Sequence, residues 1–568
     1  MKTSIRVITL LAAIGYAAIG LAESPTADLV LLNGRIHTQD AARRVVEALA
    51  VRGNTIVATG TTEQIRALAG PATHSVDLAG RVALPGFIDA HTHPAQSAQD
   101  LGKCTLGDQM LAAAAVVAAA ADCYRTAPGD PAQWFQVVQV NPSGLVLSLA
   151  ELDSIVRERP MVLMGSDGHT TWANSAALAV AGITAARPDP AGGRIERDPS
   201  GNPTGTLRDA ASDHMLATVP PAGLQVETAQ LARALAAMNV AGITSVQDAA
   251  VGDHEMSLYK ALYDEGRLTM RVRGSYTITD LSTPGDKAAA AAVAFRDHWA
   301  VDPNRLRADA IKIFADGVIE YPSQTAELLE PYLDEGGHPT GNRGPTYYEK
   351  DKLNGIVAAV DAAGITVHIH AIGDRAIRDA LDAFAYSRAH GVGAGNRDQI
   401  AHLELIDPAD YPRFKALGVI ANFQLLWARR DSYVASATEA YIGPARSQHL
   451  YPARSVLDAG GMLAGGSDWG VSSFDVFDAM EHAITRGDPP LLPEQSIPLQ
   501  AALDSYTVNA ALALKQEATT GSIERGKRAD VIVIDRDIFS VDPHELHSAK
   551  VLATYLDGKE IYAAPDWK

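Results

Sequence analysis

Two histidines stand two residues apart in the segment PGFIDAHTHP. The segment opens with a short apolar run that predicts a β-strand, and side chains two apart in a strand point to the same side. His91 and His93 can therefore direct both imidazoles at one metal ion. The alternative is a pair of inward-facing polar side chains that hold no metal.

Three more potential ligands occur later in the chain, each at the C-terminal end of a predicted strand. They are His370 in VHIHAIGD, His402 in IAHLEL and Asp468 in AGGSDWG. Barrel enzymes place their active sites at this end of the strands. Burying four histidines and an aspartate at one rim would be costly without a cation to satisfy them, so we favour a metal site.

Lys312 lies in the predicted fourth strand, within DAIKIFADG. A protonated amine cannot ligate a metal. A carboxylated lysine, in contrast, offers an anionic oxygen that can bridge two divalent ions and so complete a binuclear centre. The alternative is a plain lysine paired with Asp316 or another carboxylate, and Asp316 is also a candidate for substrate binding.

Eight short apolar runs, separated by Ala-rich stretches of helical character, would position these residues. The runs span residues 87–93, 242–248, 271–278, 310–316, 365–372, 399–405, 419–424 and 463–468. Eight strands alternating with helices predict an α/β fold with a (β/α)8 TIM-type barrel, which we assign to residues 85–515.

The connection between the first two runs is far longer than an ordinary βα loop. It predicts a subdomain inserted at about residues 95–240. Hairpin-like segments with Asn-Gly and Asp-Gly turns occur near both ends of the chain. We predict that residues 23–84 and 516–568 together form a small β-sandwich.

The first 22 residues have the layout of a secretory signal peptide: Lys2 and Arg6, an apolar run, then small residues before Glu23. The alternative is a membrane anchor, but the run is shorter than the ~20 residues that span a bilayer. We therefore expect an exported protein, periplasmic or secreted, without stable membrane insertion.

Composition restricts the partners. The chain has 67 acidic and 48 basic residues, and its net charge of -19 disfavours nucleic acid. We expect a small-molecule substrate, and the sequence is compatible with a homodimer. The two cysteines, Cys104 and Cys123, flank an Ala-rich segment. They either pair in an oxidising compartment or stay as two buried thiols, because spacing alone does not fix disulfide geometry.

HTH on the first strand, Lys on the fourth, His on the fifth and sixth, and Asp on the eighth resemble the amidohydrolase superfamily. The N-terminal hairpins and the TGSIERGKRAD tail resemble its accessory sandwich. DGHTTWANSAAL, GITSVQDA, IKIFADGV, HIHAIGDRAI and GGSDWG are similar to the amidohydrolase 3 subgroup, which includes N-substituted formamide deformylases.

The resemblance implies one or two divalent ions, with zinc expected, and a shared set of ligands. The set is His91, His93, Lys312, His370, His402 and Asp468, the last also a proton shuttle. His368 is expected one layer below the metal. Ala401 departs from the subgroup, in which many relatives have a glutamate directly before the sixth-strand histidine.

The expected reaction is hydrolysis of a non-peptide carbon-nitrogen bond, in an amide or an N-substituted formamide. A bound cation lowers the pKa of water toward ~7, Asp468 takes its proton, and His169 donates to the developing oxyanion. A helix N-terminal turn is the alternative for the segment around His169. A lactonase, an esterase, a cyclic amidase and a non-catalytic binding module remain as rival functions.

Further polar and aromatic residues near the predicted rim are candidates for substrate binding, with ordinary loop or rim packing as the alternative. They are Trp172, Asn174, Asp316, Tyr321, Gln324, Trp427 and Trp469.

Overall fold

A computed structural model describes residues 26–567, apart from 128, 130–132, 221, 281, 432 and 566. The predicted signal peptide lies outside the described residues. The N-terminal segment is made of short strands and one helix. They are β1 (Ala27–Leu32), β2 (Arg35–His37), β3 (Val45–Val46), β4 (Ala48–Arg52), β5 (Thr55–Gly60), α1 (Thr62–Arg66), β6 (Ala69–Asp77) and β7 (Val82–Pro85).

The first barrel strand, β8 (Phe87–Thr92), and a short helix, α2 (Pro94–Ser97), precede the inserted domain. That domain is a six-stranded sheet with helices on its connections. Its elements are β9 (Cys104–Thr105), α3 (Ala113–Thr126), β10 (Phe135–Val140), α4 (Leu149–Ile155), β11 (Met161–Gly165), β12 (Thr170–Ala173), α5 (Ser175–Val180), β13 (Gly193–Arg197), β14 (Pro203–Asp209) and α6 (Ala210–Leu216). The strand order is β13-β14-β12-β11-β10-β9. Cys104 and Cys123 form a disulfide that ties β9 to α3.

Seven more parallel strands complete the barrel sheet, and helices connect them. The elements are α7 (Leu224–Val240), β15 (Ile243–Val251), α8 (Asp253–Asp264), β16 (Arg271–Thr277), α9 (Gly285–His298), β17 (Leu306–Phe314), α10 (Lys350–Ala362), β18 (Thr366–Ala371), α11 (Asp374–Ala389), β19 (Gln399–His402), α12 (Tyr411–Leu417), β20 (Ile420–Phe423), α13 (Glu439–Ser447), α14 (Ala453–Asp458), β21 (Met462–Gly465) and α15 (Val476–Thr485). The sheet runs in chain order from β8 through β15 to β21, and each predicted run overlaps one of its strands. The predicted barrel is therefore confirmed.

The first and eighth strands meet beside the candidate ligands His91, His93 and Asp468. The backbone N–H of Asp468 donates to the carbonyl oxygen of His91 at 2.7 Å, and His93 donates in the same way to Trp469 at 3.0 Å. Gly466 allows this approach, because a Cβ atom there would lie 2.5 Å from the Cβ of His91. The second glycine of AGGSDWG thus allows the rims of the two strands to come together.

The chain ends with two helices, α16 (Leu499–Ser505) and α17 (Val508–Ala513), and three strands, β22 (Val531–Ile534), β23 (Val551–Leu556) and β24 (Lys559–Ala563). These strands join β7, β2 and β3 in a six-stranded sheet, which faces the sheet β5-β4-β1-β6. Leu31 and Leu49 of the smaller sheet share one buried core with Ala83, Val533 and Tyr555 of the larger. Both ends of the chain therefore contribute to one sandwich.

The sandwich is fastened to the barrel by a buried ion pair. Arg271, the first residue of β16, donates to both carboxylate oxygens of Asp530 at 2.7 and 2.8 Å.

In the described part of the chain, none of the helices has both the length and the apolar character that a bilayer span requires.

Candidate metal centre

Three buried side chains from the ends of three strands converge at the C-terminal rim of the barrel. One nitrogen of His91, one of His402 and one carboxylate oxygen of Asp468 all lie within 4.8 Å of one another. The Nε2 atoms of His91 and His93 lie 3.4 and 3.0 Å from the Oδ1 atom of Asp468. The HTH pair therefore shares its site with the strand-eight aspartate.

Several polar atoms of this cluster are buried without a hydrogen-bond partner among the described residues. They include both ring nitrogens of His402 and the Nδ1 atom of His93. Burying such atoms unsatisfied costs free energy, and native proteins normally avoid it. Imidazole nitrogens and a carboxylate are ligands that zinc and similar divalent ions accept, so the residues present fit a cation.

Electrostatics keep the cluster ready to ligate. Burial and, second, the nearby Lys312 lower the pKa of His91 to about 3, so this imidazole stays neutral. Burial alone would raise the pKa of Asp468, but hydrogen bonds from His91 and His93 hold it well below its usual value. A neutral imidazole and an ionised carboxylate are the forms that bind a metal.

His370 reaches the cluster from the fifth strand with its tautomer fixed. Its Nε2 atom donates to the carbonyl oxygen of Gly317 at 3.0 Å, and that oxygen can only accept. The Nδ1 atom of a neutral His370 therefore presents a lone pair. The ring lies 4.3 Å, centroid to centroid, from the ring of His402. This is the usual way in which an outer hydrogen bond orients a ligating histidine.

Lys312 is fully buried, with its Nζ atom 3.3 Å from the Nε2 atom of His91. Burial lowers the pKa of this amine to about 7, although Asp468 opposes the shift. The alternative pairing with Asp316 does not occur. The Asp316 carboxylate accepts the backbone N–H groups of Ile372, Gly373 and Glu327 at 2.8 to 3.0 Å.

Asp316 is thus occupied in holding the loop beside His370, and we reassign it from substrate binding to this structural role. His368 lies beneath the cluster, where its Nε2 atom is 2.9 Å from the Nδ1 atom of His91. Its other nitrogen contacts the amide of Gln247 on the second barrel strand. This placement agrees with a position one layer below the metal.

His169 enters the site from the loop between β11 and β12 of the inserted domain. Its ring lies 5.4 Å, centroid to centroid, from that of His370. Asp167 accepts the backbone N–H groups of His169 and Thr170, so the segment is also a tight turn. Burial lowers the pKa of His169, but the hydrogen bond to Asp209 outweighs it and raises the pKa to about 9. His169 is therefore a cationic donor at neutral pH.

Two candidates for substrate binding have structural positions instead. Trp172 is fully buried in the apolar core of the inserted domain. Asn174 is the N-cap of α5, and its amide accepts from Ala177 and Met161 while it donates to two further carbonyl oxygens. With all of its hydrogen-bonding capacity used, Asn174 has nothing to offer a ligand. We reassign both residues to the packing of the inserted domain.

The remaining candidates lie around the cluster. Trp427 stacks on His402 with ring centroids 5.6 Å apart and nearly parallel planes, and its Nε1 atom donates to Ser472 at 3.0 Å. Tyr321 stacks on Tyr441 at 4.4 Å. The Nε2 atom of Gln324 is buried without a partner among the described residues.

Trp469, directly after Asp468, lines a cleft of about 620 Å³ between the barrel and the inserted domain. Its ring packs edge-on against Phe474 at 5.1 Å, which gives the cleft an aromatic wall.

Sequence reasoning missed two aspartates that organise the site. Asp89 accepts from the backbone N–H of His91 at 3.2 Å and from the backbone and hydroxyl of Ser467, and so joins the HTH strand to the GGSDWG segment. Its position two residues before His91 on one strand was the available signal. Asp209, which accepts from His169 at 2.8 Å, had none, because the contact spans 40 residues.

Residues 75–562 match the model of a family described as the amidohydrolase family. The chain is 30% identical over 553 residues to an N-substituted formamide deformylase of Arthrobacter pascens, covering 94% of this chain and 97% of that protein. An uncharacterised metal-dependent hydrolase from Pyrococcus horikoshii has a TM-score of 0.71 at 21% identity, with 91% of this chain and 99% of that one covered. The atrazine chlorohydrolase of Arthrobacter aurescens, solved with zinc, has a TM-score of 0.53 at 16% identity, with 94% and 95% covered.

Proposed function

The chain belongs to the amidohydrolase family, amidohydrolase 3 subgroup, and from this membership we propose that it hydrolyses a non-peptide carbon-nitrogen bond in an N-substituted formamide or a related amide. The products are an amine and a carboxylic acid. The observation that most supports hydrolysis is the convergence of His91, His402 and Asp468 within 4.8 Å, with ring nitrogens left unsatisfied for a cation. The formamide assignment rests on the likeness to the Arthrobacter pascens deformylase over nearly the whole of both chains.

The cation is best explained as zinc, held by His91, His93, His370, His402 and Asp468. The nitrogen-rich ligand set favours zinc over calcium or magnesium. The solved relative with zinc is consistent with this choice. When bound, the ion would supply Lewis-acid chemistry, lowering the pKa of a water molecule and polarising a carbonyl group.

The residues of this chain then move the protons and bind the substrate. Asp468, ionised and at the centre of the cluster, accepts the proton of the attacking water and returns it to the leaving amine. His169 donates a hydrogen bond to the carbonyl oxygen as negative charge develops there. Trp427 shields one side of His402 from solvent and offers an apolar surface to the substituent on nitrogen.

Carboxylation of Lys312 is part of the proposal. Carbon dioxide reacts with a neutral amine, and burial lowers the pKa of Lys312 to a value at which a large neutral fraction exists at neutral pH. The Nζ atom lies 3.3 Å from a ligand nitrogen of His91, so a carbamate there would reach the same ion and could bridge to a second one. A binuclear centre would follow.

We also propose that the protein is exported. The N-terminal 22 residues have signal-peptide character, and the Cys104–Cys123 disulfide suits an oxidising compartment outside the cytoplasm. N-terminal sequencing of protein isolated from an expressing Gram-negative host should give a mature chain that begins near Glu23. Protein that retains Met1 would contradict export.

Activity is tested with protein stripped of metal by a chelator and reloaded with Zn(II). A panel of N-substituted formamides, simple amides, esters and lactones is assayed for release of amine, acid or alcohol. We expect turnover of formamides by the reloaded protein only. Preferential turnover of esters or lactones would contradict the formamide assignment and identify a different substrate class. Inactivity on the whole panel would contradict hydrolysis.

A further inference from the structure

Asp209 has a backbone conformation that side-chain-bearing residues rarely adopt. It is the last residue of β14 and has φ 50° and ψ -124°. For a residue with a Cβ atom this region is strained, and such strain concentrates at functional sites. The residue is also 7% exposed, so the structure both buries and strains it.

The carboxylate of Asp209 does not cap the helix that follows it, although its position suggests that role. Asp209 directly precedes α6, and aspartate is among the preferred residues at that N-cap position because its side chain accepts from the first helical N–H groups. In this helix no side-chain cap hydrogen bond is made. Stabilisation of α6 therefore does not explain an aspartate at residue 209.

Both hydrogen-bonding ends of Asp209 hold His169 instead. The backbone N–H of Asp209 donates to the carbonyl oxygen of His169 at 2.7 Å. The Nδ1 atom of His169 donates to the Oδ1 atom of Asp209 at 2.8 Å. Backbone and ring of the histidine are thus clamped by one residue, and the Nε2 atom is left on the side of the ring away from Asp209.

This pair of hydrogen bonds between Asp209 and His169, here called the clamp, packs against the segment that orients His370. A Cβ atom on Gly317 would lie 2.9 Å from the Oδ1 atom of Asp209, so no larger residue fits there. The carbonyl oxygen of the same glycine accepts from His370 at 3.0 Å. Gly317 therefore links the carboxylate that holds His169 to the fifth-strand histidine of the cluster.

We infer that Asp209 is a positioning residue: its strained backbone lets one aspartate grip His169 at two points and aim the Nε2 atom at the substrate carbonyl. The inference rests on the donor role given to His169 in the proposed function. It explains why a residue that would be less strained as glycine is an aspartate, since glycine would keep the backbone bond and lose the ring bond.

The test uses the full-length, metal-loaded protein and compares Asp209→Gly, Asp209→Asn and the matched control Asp122→Asn. Asp122 is an exposed carboxylate of the same inserted domain, where it pairs with Arg125, and it has no hydrogen bond to His169 among the described residues. We expect Asp209→Gly to melt at the same temperature as wild type or higher, because strain is relieved, while kcat falls about 100-fold with KM and metal content nearly unchanged. Asp209→Asn keeps an acceptor and should lose less, and the control should match wild type.

A double variant separates positioning from a general structural effect. In the His169→Gln background, Asp209→Gly should cause no further loss of kcat, since its target is gone. Wild-type kcat in Asp209→Gly, or a full additional loss in the double variant, would overturn the inference.

Histidine-selective ¹⁵N NMR decides the same point without activity. An exchange-protected Nδ1 proton, assigned to His169 by its absence from His169→Gln, should vanish in Asp209→Gly and persist in Asp122→Asn. Its persistence in Asp209→Gly would refute the clamp. Inactivity of wild type on all substrates would instead refute the proposed function. The NMR signal of the Nδ1 proton would then decide by itself whether Asp209 holds His169.

Discussion

The backbone N–H of Asp468 donates to the carbonyl oxygen of His91 at 2.7 Å, while the side chains of the same two residues meet at 3.4 Å. The bond joins the first strand of the barrel to the segment after the eighth. Because backbone and side chain are coupled in this way, barrel closure itself sets the distance between His91, a proposed metal ligand, and the carboxylate that we propose as the proton acceptor. A disturbance of either strand end should affect both metal binding and proton transfer.

Replacing His402 with alanine should lower the metal content of the isolated protein by at least one equivalent. Its two ring nitrogens are buried and have no partner among the described residues, and a bound cation would satisfy at least one of them. The measurement is elemental analysis after dialysis against a low concentration of zinc. His482→Ala is a matched control, since that histidine pairs with Asp478 at 3.0 Å away from the cluster. An unchanged metal count in His402→Ala would show that another set of residues binds the ion.

Asp468→Asn should retain most of the metal and lose hydrolytic activity. The amide keeps an oxygen that can ligate but cannot accept a proton from water at neutral pH, and loss of a general base typically costs about 10²–10⁴-fold in kcat. Steady-state kinetics on the best formamide, together with metal analysis, test this. Asp458→Asn removes the same charge from an exposed ion pair with Arg454 and should leave kcat unchanged. A variant of Asp468 with wild-type kcat would remove this residue from the mechanism.

The barrel and most of its rim residues were predictable because hydrophobic periodicity and strand ends are local properties of a sequence. His402 shows the limit of predictions that rest on side-chain alternation along a strand. Gln399 and Ala401 share one face of their strand, so simple alternation would turn His402 away from the interior. Its φ of 78° takes it out of the regular strand conformation, and its ring lies beside those of His91 and His370. Its place at the end of a predicted strand and the likeness to a family identified it, whereas side-chain alternation along the strand would have excluded it.

The inserted domain was harder to interpret. A polar cluster after a glycine predicts a helix cap and a binding loop equally well, and in DGHTTWANS the two outcomes fall on different residues. Asn174 caps a helix, whereas His169 enters the site. Strand pairing within the insertion decides between them, since β12 and β14 bring Asp209 to His169 across a sequence separation of 40. No local pattern contains that information.

Reconstitution should depend on both pH and carbon dioxide through Lys312. The pKa of this buried amine is lowered to about 7, so the neutral form that reacts with carbon dioxide predominates above that pH. We expect metal-free protein to regain two metal equivalents faster at pH 8 with bicarbonate than at pH 6 or in carbon-dioxide-free buffer. Crystallographic density at residue 312 should show a carbamate. Equal recovery in the presence and absence of carbon dioxide, without such density, would contradict carboxylation.

The same shift has a consequence for the stability of the metal-free protein. The folded pKa lies below the unfolded value of about 10.4, so between pH 7 and pH 10 the unfolded chain binds more protons. The free energy of unfolding should therefore rise with pH over this window by a contribution that is absent in Lys312→Met. Urea titrations of both proteins at pH 7 and pH 9.5 measure the difference. An equal pH dependence in the two proteins would show that this lysine is not titrating in the folded state.

Loss of the disulfide should weaken the inserted domain more than the barrel. Cys104 and Cys123 are 19 residues apart in sequence, and closing a loop of this size contributes about 3 kcal/mol to the free energy of unfolding. The Cys104→Ser/Cys123→Ser variant should therefore unfold at a lower urea concentration, and protease should cut first within the inserted domain. His169 comes from this domain, so kcat should fall while metal content is unchanged. Cys104→Ser alone should lose as much stability as the double variant, because one cysteine cannot form the bond. Two thiols that react in unreduced, unfolded wild-type protein would show that the cysteines are not paired.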